Sequence, residues 1–203
     1  MPRVLRTLML RVWFAPVRSF ARGVLPVMLA VALLSAAAPV EAQHSQSEVE
    51  AAYLLNFGKF MHVAPPAQAG QRNAFDICIV GRDRIGKALE GLVANEQIDN
   101  RPVRVRQLTE AREARNCDIA YLSAEGERID ADLDALKGAD VLTVSDAPDF
   151  LGEGGMIQLL LSQNHVRFSV NLRAVRQTHL TLSSELLKVA VAVTGAPAGE
   201  GAP

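Results

Sequence analysis

The chain has 203 residues, 49% of them hydrophobic and 21% charged, with a formal net charge of −1. The charge is uneven: residues 1–42 hold five of the 21 basic residues and one of the 22 acidic ones, so the other 161 carry a net −5. A mildly acidic stretch of that length suits one domain with a substantial core, and it argues against nucleic acid, whose phosphates demand clustered cations.

The N-terminus reads as a secretory signal. Arg3, Arg6, Arg11, Arg18 and Arg22 precede any acidic residue, the first of which is Glu41. An apolar run follows from Val24 to Ala38, interrupted only by Pro26 and Ser35, and leads to Val40-Glu41-Ala42 ahead of Gln43. Basic segment, apolar segment and small-residue site in that order predict a cleaved signal peptide over 1–42. The run is shorter than the ~20 residues that span a bilayer. An uncleaved anchor is the alternative, and the long basic region leaves Met9 open as a start. The mature domain is then 43–194, in the periplasm.

Ser47 and Glu50 have capping-box spacing and predict a helix, with Val49, Tyr53, Phe57 and Phe60/Met61 as its apolar stripe and Pro65-Pro66 as its stop. Tyr53, Phe57 and Phe60 put more aromatic bulk on one side than a short helix over a sheet needs. They pack in the core, or part of the stripe forms a symmetric dimer face.

Types then alternate. Phe75–Val80 is nearly all apolar, as in a strand covered on both faces. Ile85, Ala88, Leu89 and Leu92 follow at helical spacing. Pro102–Leu108 is a second strand, in which Arg104 and Arg106 alternate with Val103 and Val105 on a solvated face. Cys117–Leu122 is a third strand, Ile129, Leu133 and Leu136 mark a helix ending at Gly138, and Val141–Val144 is a fourth strand. This order implies right-handed crossovers and a parallel sheet with helices on both sides. Met156–Leu161 and Val166–Val170, joined by Ser162-Gln163-Asn164-His165, predict a closing antiparallel hairpin. Asn171 can cap a short helix holding Leu172 and Val175. Ser183 or Ser184 can cap a last one with Leu186, Leu187, Ala190 and Val191 on its buried side. The Gly/Pro/Ala-rich stretch 195–203 reads as a disordered tail. The fold class is α/β, a Rossmann-like three-layer sandwich whose mainly parallel sheet ends in an antiparallel hairpin.

Catalytic chemistry finds little support. Gly81-Arg82-Asp83-Arg84-Ile85-Gly86-Lys87 fits G-x-x-x-x-G-K, but Ala88 stands where a hydroxyl must hold Mg²⁺. Asp83 also occupies the middle glycine position of a dinucleotide fingerprint. His44, His62, His165 and His179 are scattered, and neither cysteine has a C-x-x-C partner, so no metal site assembles by spacing. Asp146 and Asp149 flank Pro148 after the fourth strand, where turn and cap roles account for them. Gly152-Glu153-Gly154-Gly155 reads as a turn into the hairpin rather than an anion cradle. No catalytic residue, cofactor or metal is expected. Cys78 and Cys117 both follow the cleavage site, and an even pair in an oxidising compartment reads as one disulfide, with two buried free thiols as the alternative.

Several segments in order resemble the YfiR-like periplasmic family. They are Tyr53–Phe60, Asp76-Ile77-Cys78-Ile79-Val80-Gly81, Cys117–Ser123, Leu142–Pro148, Gly154-Gly155-Met156-Ile157, Val166–Leu172 and Ser183–Leu187. The resemblance runs from about Glu48 to Val193. It implies a Rossmann-like, dimer-forming regulator that binds the periplasmic sensor part of an inner-membrane diguanylate cyclase and holds that enzyme inactive. An outer-membrane lipoprotein that captures the regulator would relieve the inhibition. It also associates the Cys78 and Cys117 positions with redox control, while a second disulfide of some relatives, near the hairpin, is missing here. In a doubly wound sheet of order 2-1-3-4 the strands of Cys78 and Cys117 are neighbours, and a suitable register brings the sulfurs together. A histidine-kinase or receptor partner, or a small ligand held beyond the strands' carboxyl ends, is the alternative function.

Overall fold

Ser45 opens the described chain by capping a helix. The computed structural model describes residues 45–64, 72–82, 85–125 and 128–196. The expected signal peptide, its cleavage site, His44, Pro65-Pro66, Asp83-Arg84 and residues 197–203 of the expected tail lie outside the described residues.

The first helix, α1, runs Gln46–Phe60. Its capping box is Ser45 with Glu48, not Ser47 with Glu50: Ser45 Oγ accepts from Glu48 N–H at 3.3 Å, and the Glu48 carboxylate accepts from Ser45 N–H at 2.9 Å. Both pairs have the spacing. The earlier one lengthens the helix and leaves Glu50, which is buried, to accept from the Gln46 amide one turn back at 2.8 Å. The helix also ends earlier than a proline stop requires. Met61–Val63 leaves it as strand β1 and pairs antiparallel with Leu180–Leu182.

The remaining elements follow in the expected alternation. Strand β2 is Phe75–Val80 and α2 is Ile85–Leu92; a two-residue strand β3 (Gln97–Ile98) turns into β4 (Arg101–Leu108). A 3-10 helix spans Ala111–Asn116, then come β5 (Ile119–Leu122), α3 (Ile129–Leu136) and β6 (Leu142–Ser145). The hairpin is β7 (Ile157–Ser162) and β8 (His165–Asn171), and α4 is Leu172–Val175. Strand β9 (Leu180–Leu182), α5 (Ser184–Val189) and β10 (Ala192–Thr194) complete the described chain.

The protein is mixed α/β. Beside the small β1–β9 pair, one eight-stranded sheet has the order β10-β8-β7-β6-β5-β2-β4-β3. It is parallel except at β7–β8 and β3–β4. The run β4-β2-β5-β6 stands in the 2-1-3-4 order supposed above for a doubly wound sheet. Side chains alternate across β2. Phe75, Ile77 and Ile79 join an apolar cluster with α1 and α2, while Cys78 and Val80 join another with α3 and the 3-10 helix. Burial on both faces explains why β2 reads as an apolar run broken only by Asp76.

The turns are tighter than the sequence suggests. Gln163 and Asn164 alone turn the hairpin, with φ of +49° and +62°, so Ser162 and His165 pair as strand residues. Asp99 and Asn100, at +50° and +59°, make an unanticipated second hairpin between β3 and β4. Asn171 caps α4 as expected, accepting from Arg173 and Ala174 N–H, and Ser183 caps α5. Val191 is a correction: α5 stops at Val189, the chain enters β10, and Val191 is 58% exposed rather than on a buried helix face.

Candidate functional site

The two sulfurs meet through strand register. Cys78 lies in β2, level with Ala120 of β5, and Cys117 lies two residues before β5. Cys117 therefore ends the 3-10 helix, its N–H bonded to Ala114 O at 2.9 Å, instead of starting the strand. The structure bonds Cys78 to Cys117, with a Cα–Cα distance of 6.2 Å and both residues fully buried. That separation is ordinary for a disulfide.

Charge is concentrated beside the bridge. Asp118, 1% exposed, accepts from Asp76 N–H at 2.8 Å and from Arg101 Nη1 at 3.0 Å, and Arg72 Nη1 stands 3.6 Å away. Asp76 is level with Arg104 across the β2–β4 pair, and the two join by a bidentate bond of 2.9 and 3.0 Å. The Asp76 hydrogen bond, then its charge, raises the Arg104 guanidinium above its ordinary value. Arg101 also lies over the Phe75 ring at 5.0 Å. These aspartates are the residues that sequence reading missed. Their signal was an acidic residue inside or beside an apolar strand, a place that demands a partner.

The structure places the aromatic stripe of α1 unevenly. Phe57 is fully buried, with its ring 5.0 Å from that of Phe168. Tyr53 is half-buried, packs on Phe57 and Phe168, and donates to Val166 O at 3.2 Å. Phe60 is the exposed member, at 39%. The deeply buried side of α1 is Ala51, Leu54, Leu55, Phe57 and Gly58, rather than a line through Phe60.

At the strands' carboxyl ends the sheet order reverses between β2 and β5, the place where α/β folds open a crevice. A crevice of about 500 Å³ lies there, lined by Gly81, Ser123, Arg112, Arg128 and Asp132 among others. Burial pushes the Asp132 carboxyl up, against the opposing pull of Arg128. Ser123 Oγ is occupied, donating to Arg82 O at 2.8 Å and accepting from Glu125 N–H at 3.3 Å. Asp146 accepts from Tyr121 Oη at 2.8 Å, and Asp149, at φ +57°, accepts Gly152 N–H in a turn. Gly155 packs on the Phe150 ring, so the glycine run serves the turn.

These observations define a mixed α/β domain with a mostly parallel sheet, a disulfide from β2 to the end of the 3-10 helix before β5, and buried ion pairs beside it. The chain belongs to the YfiR/HmsC-like family, whose model matches residues 47–191. That family is periplasmic and regulatory rather than catalytic. No curated protein matches the sequence. Among solved structures, a conserved domain protein of Vibrio cholerae O1 biovar El Tor is similar, with a TM-score of 0.51 and 11% identity. The match covers 73% of this chain and 60% of that one, so this chain spans less than two thirds of its neighbour, and the likeness concerns the fold alone. Among the described residues, no helix is long and apolar enough to cross a membrane.

Proposed function

We propose that the chain is an exported periplasmic regulator that binds the periplasmic sensor domain of an inner-membrane diguanylate cyclase and holds the enzyme inactive. Family membership over 47–191 carries this reading. The strand order supports a Rossmann-like three-layer sandwich. A binding protein of this kind changes a membrane enzyme by preferring one of its states, and the shift is limited by that difference in affinity. It acts without cofactor or catalytic residue, as a homodimer, and an outer-membrane lipoprotein captures it to release the cyclase.

Deleting the gene is expected to raise cytoplasmic cyclic di-GMP several-fold, and restoring the exported chain to lower it again. Unchanged cyclic di-GMP in the deletion strain would refute the reading. The crevice at the β2–β5 ends supports one second reading, a small-ligand site. Calorimetry against periplasmic metabolites, with Arg128→Ala as the control, separates the two.

A further inference from the structure

Among the described residues, the longest unpaired strand edge in the main sheet is on β4. β4 pairs with β2 over Val103–Leu108, but its other neighbour, β3, pairs only with Arg101 and Pro102. Val103 N–H points outward, bonding to Glu96 O at 3.0 Å, while Leu108 O points inward to Gly81 N–H. Backbone groups alternate sides along a strand, so Val105 and Gln107 turn their N–H and C=O outward, where no described strand meets them. The edge also has a charge pattern. Val103, Val105 and Gln107 share one face, and Arg104 and Arg106 share the other. Arg104 remains largely exposed although bound to Asp76, and Arg106 is exposed with no carboxylate paired to it among the described residues.

We infer that the outer edge of β4, from Arg104 to Leu108, docks an extended acidic segment of a partner protein. The segment adds as a strand to Val105 and Gln107 and sets alternate carboxylates against Arg104 and Arg106. Other occupants fit poorly. A second copy pairing antiparallel about Val105 sets arginine against arginine on one face, which repels. Residues 1–44 of the chain carry five arginines and one glutamate, the same sign as the edge. The C-terminal residues follow β10, at the far edge of the sheet. In a domain of net −5, a cationic edge with open backbone groups selects an acidic strand. The inference rests on the regulatory reading for its partner, but not for its test.

The test uses the full oxidised chain and the synthetic peptide Thr-Glu-Val-Glu-Val-Glu-Thr, with its lysine counterpart as control. Binding by fluorescence anisotropy and amide exchange by NMR are followed together. The acidic peptide is expected to bind and to slow exchange at Val105 and Gln107, while the lysine peptide does neither. Val105→Pro, which removes an outward donor that strand addition needs, should abolish binding. Arg106→Glu should weaken binding by roughly fivefold and favour the lysine peptide. Should Val105→Pro unfold the protein, Arg106→Glu carries the test. No binding, protection elsewhere, or binding without amide protection would overturn the inference. Protection that rises with protein concentration alone would assign the edge to self-association and overturn it too. Cyclase inhibition is scored separately. A chain that binds the peptide but inhibits no cyclase refutes the regulatory reading alone. Inhibition retained in both variants, with no peptide binding, refutes the edge alone.

Discussion

Asp118 is the residue on which the charged cluster turns. Its carboxylate is buried and accepts from a backbone N–H and an arginine, so removing it strands both donors. Asp118→Ala is therefore expected to lower stability by about 3 kcal/mol in urea unfolding, as breaking a buried, hydrogen-bonded pair does. The exposed Glu110–Arg112 pair, at 2.7 Å, is shorter yet worth less; Glu110→Gln should change stability by no more than about 0.5 kcal/mol. If Asp118→Ala behaved like Glu110→Gln, the buried cluster would be no more than a surface feature. Asp132 supplies a pH test. Burial raises its carboxyl, so the folded state binds that proton more tightly than the unfolded one. Its contribution favours folding at low pH and is lost as pH rises through the raised value. Asp132→Asn should thus gain stability relative to the parent on going from pH 4 to pH 7, measured as unfolding midpoints. A difference that is flat in pH would contradict a carboxyl raised by its partial burial. None of this was legible as pairing: Asp76, Asp118 and Arg104 are plain in the sequence, but which aspartate meets which arginine depends on register.

At the scale of elements, α1 shows what a period can and cannot say. Its existence follows from the spacing of Val49, Tyr53 and Phe57, yet its buried side passes through Gly58. A Cβ built there would lie 2.7 Å from Ile98 Cδ1 and 2.9 Å from Phe75 Cζ, so the helix sits on the sheet at glycine distance. Gly58→Val is expected to cost roughly 1–3 kcal/mol through overpacking, despite glycine's poor helix propensity. An unchanged unfolding midpoint would mean that α1 can lift without loss. The elements that sequence reading missed are short: β1, β3, β9, β10 and the 3-10 helix. The strands among them have two or three residues and so contain no period, and β1 forms because its partner, more than a hundred residues away, completes its backbone bonds.

Across the whole molecule, the disulfide ties β2 to the residue that ends the 3-10 helix just before the neighbouring strand β5, 39 residues further along the chain. Closing a loop of that size is worth roughly 4 kcal/mol in the chain-entropy model, a large share of a typical small domain's stability. Cys78→Ser is expected to lower the unfolding midpoint, with a loss of about half that value or more. Because both sulfurs are buried, reductant should act only through opened protein, so reduction should be slow in water and fast near the midpoint. Thiol titration of freshly isolated, denatured protein should find no free thiol, and two would refute the bridge. Measured in parallel, cyclase inhibition decides its role: lost stability with unchanged partner binding makes it a staple and no switch.

The sequence by itself determined the order and type of the long elements, the two-sided burial of β2 and the capping of α4 by Asn171, because each rests on neighbours within a few positions, and it carried the family through motifs kept in order along the domain. The parallel alternation implied right-handed crossovers but left the strand order as a supposition, which the sheet itself supplied. Only the tertiary structure decided that Phe57 is core while Phe60 is exposed, that Asp76 meets Arg104, and that β4 keeps an open edge. Those outcomes depend on how distant segments slide against one another. A shift of one residue in strand register would turn every side chain of that strand to the other face and give Asp76 a different neighbour, and nothing local in the chain records that choice.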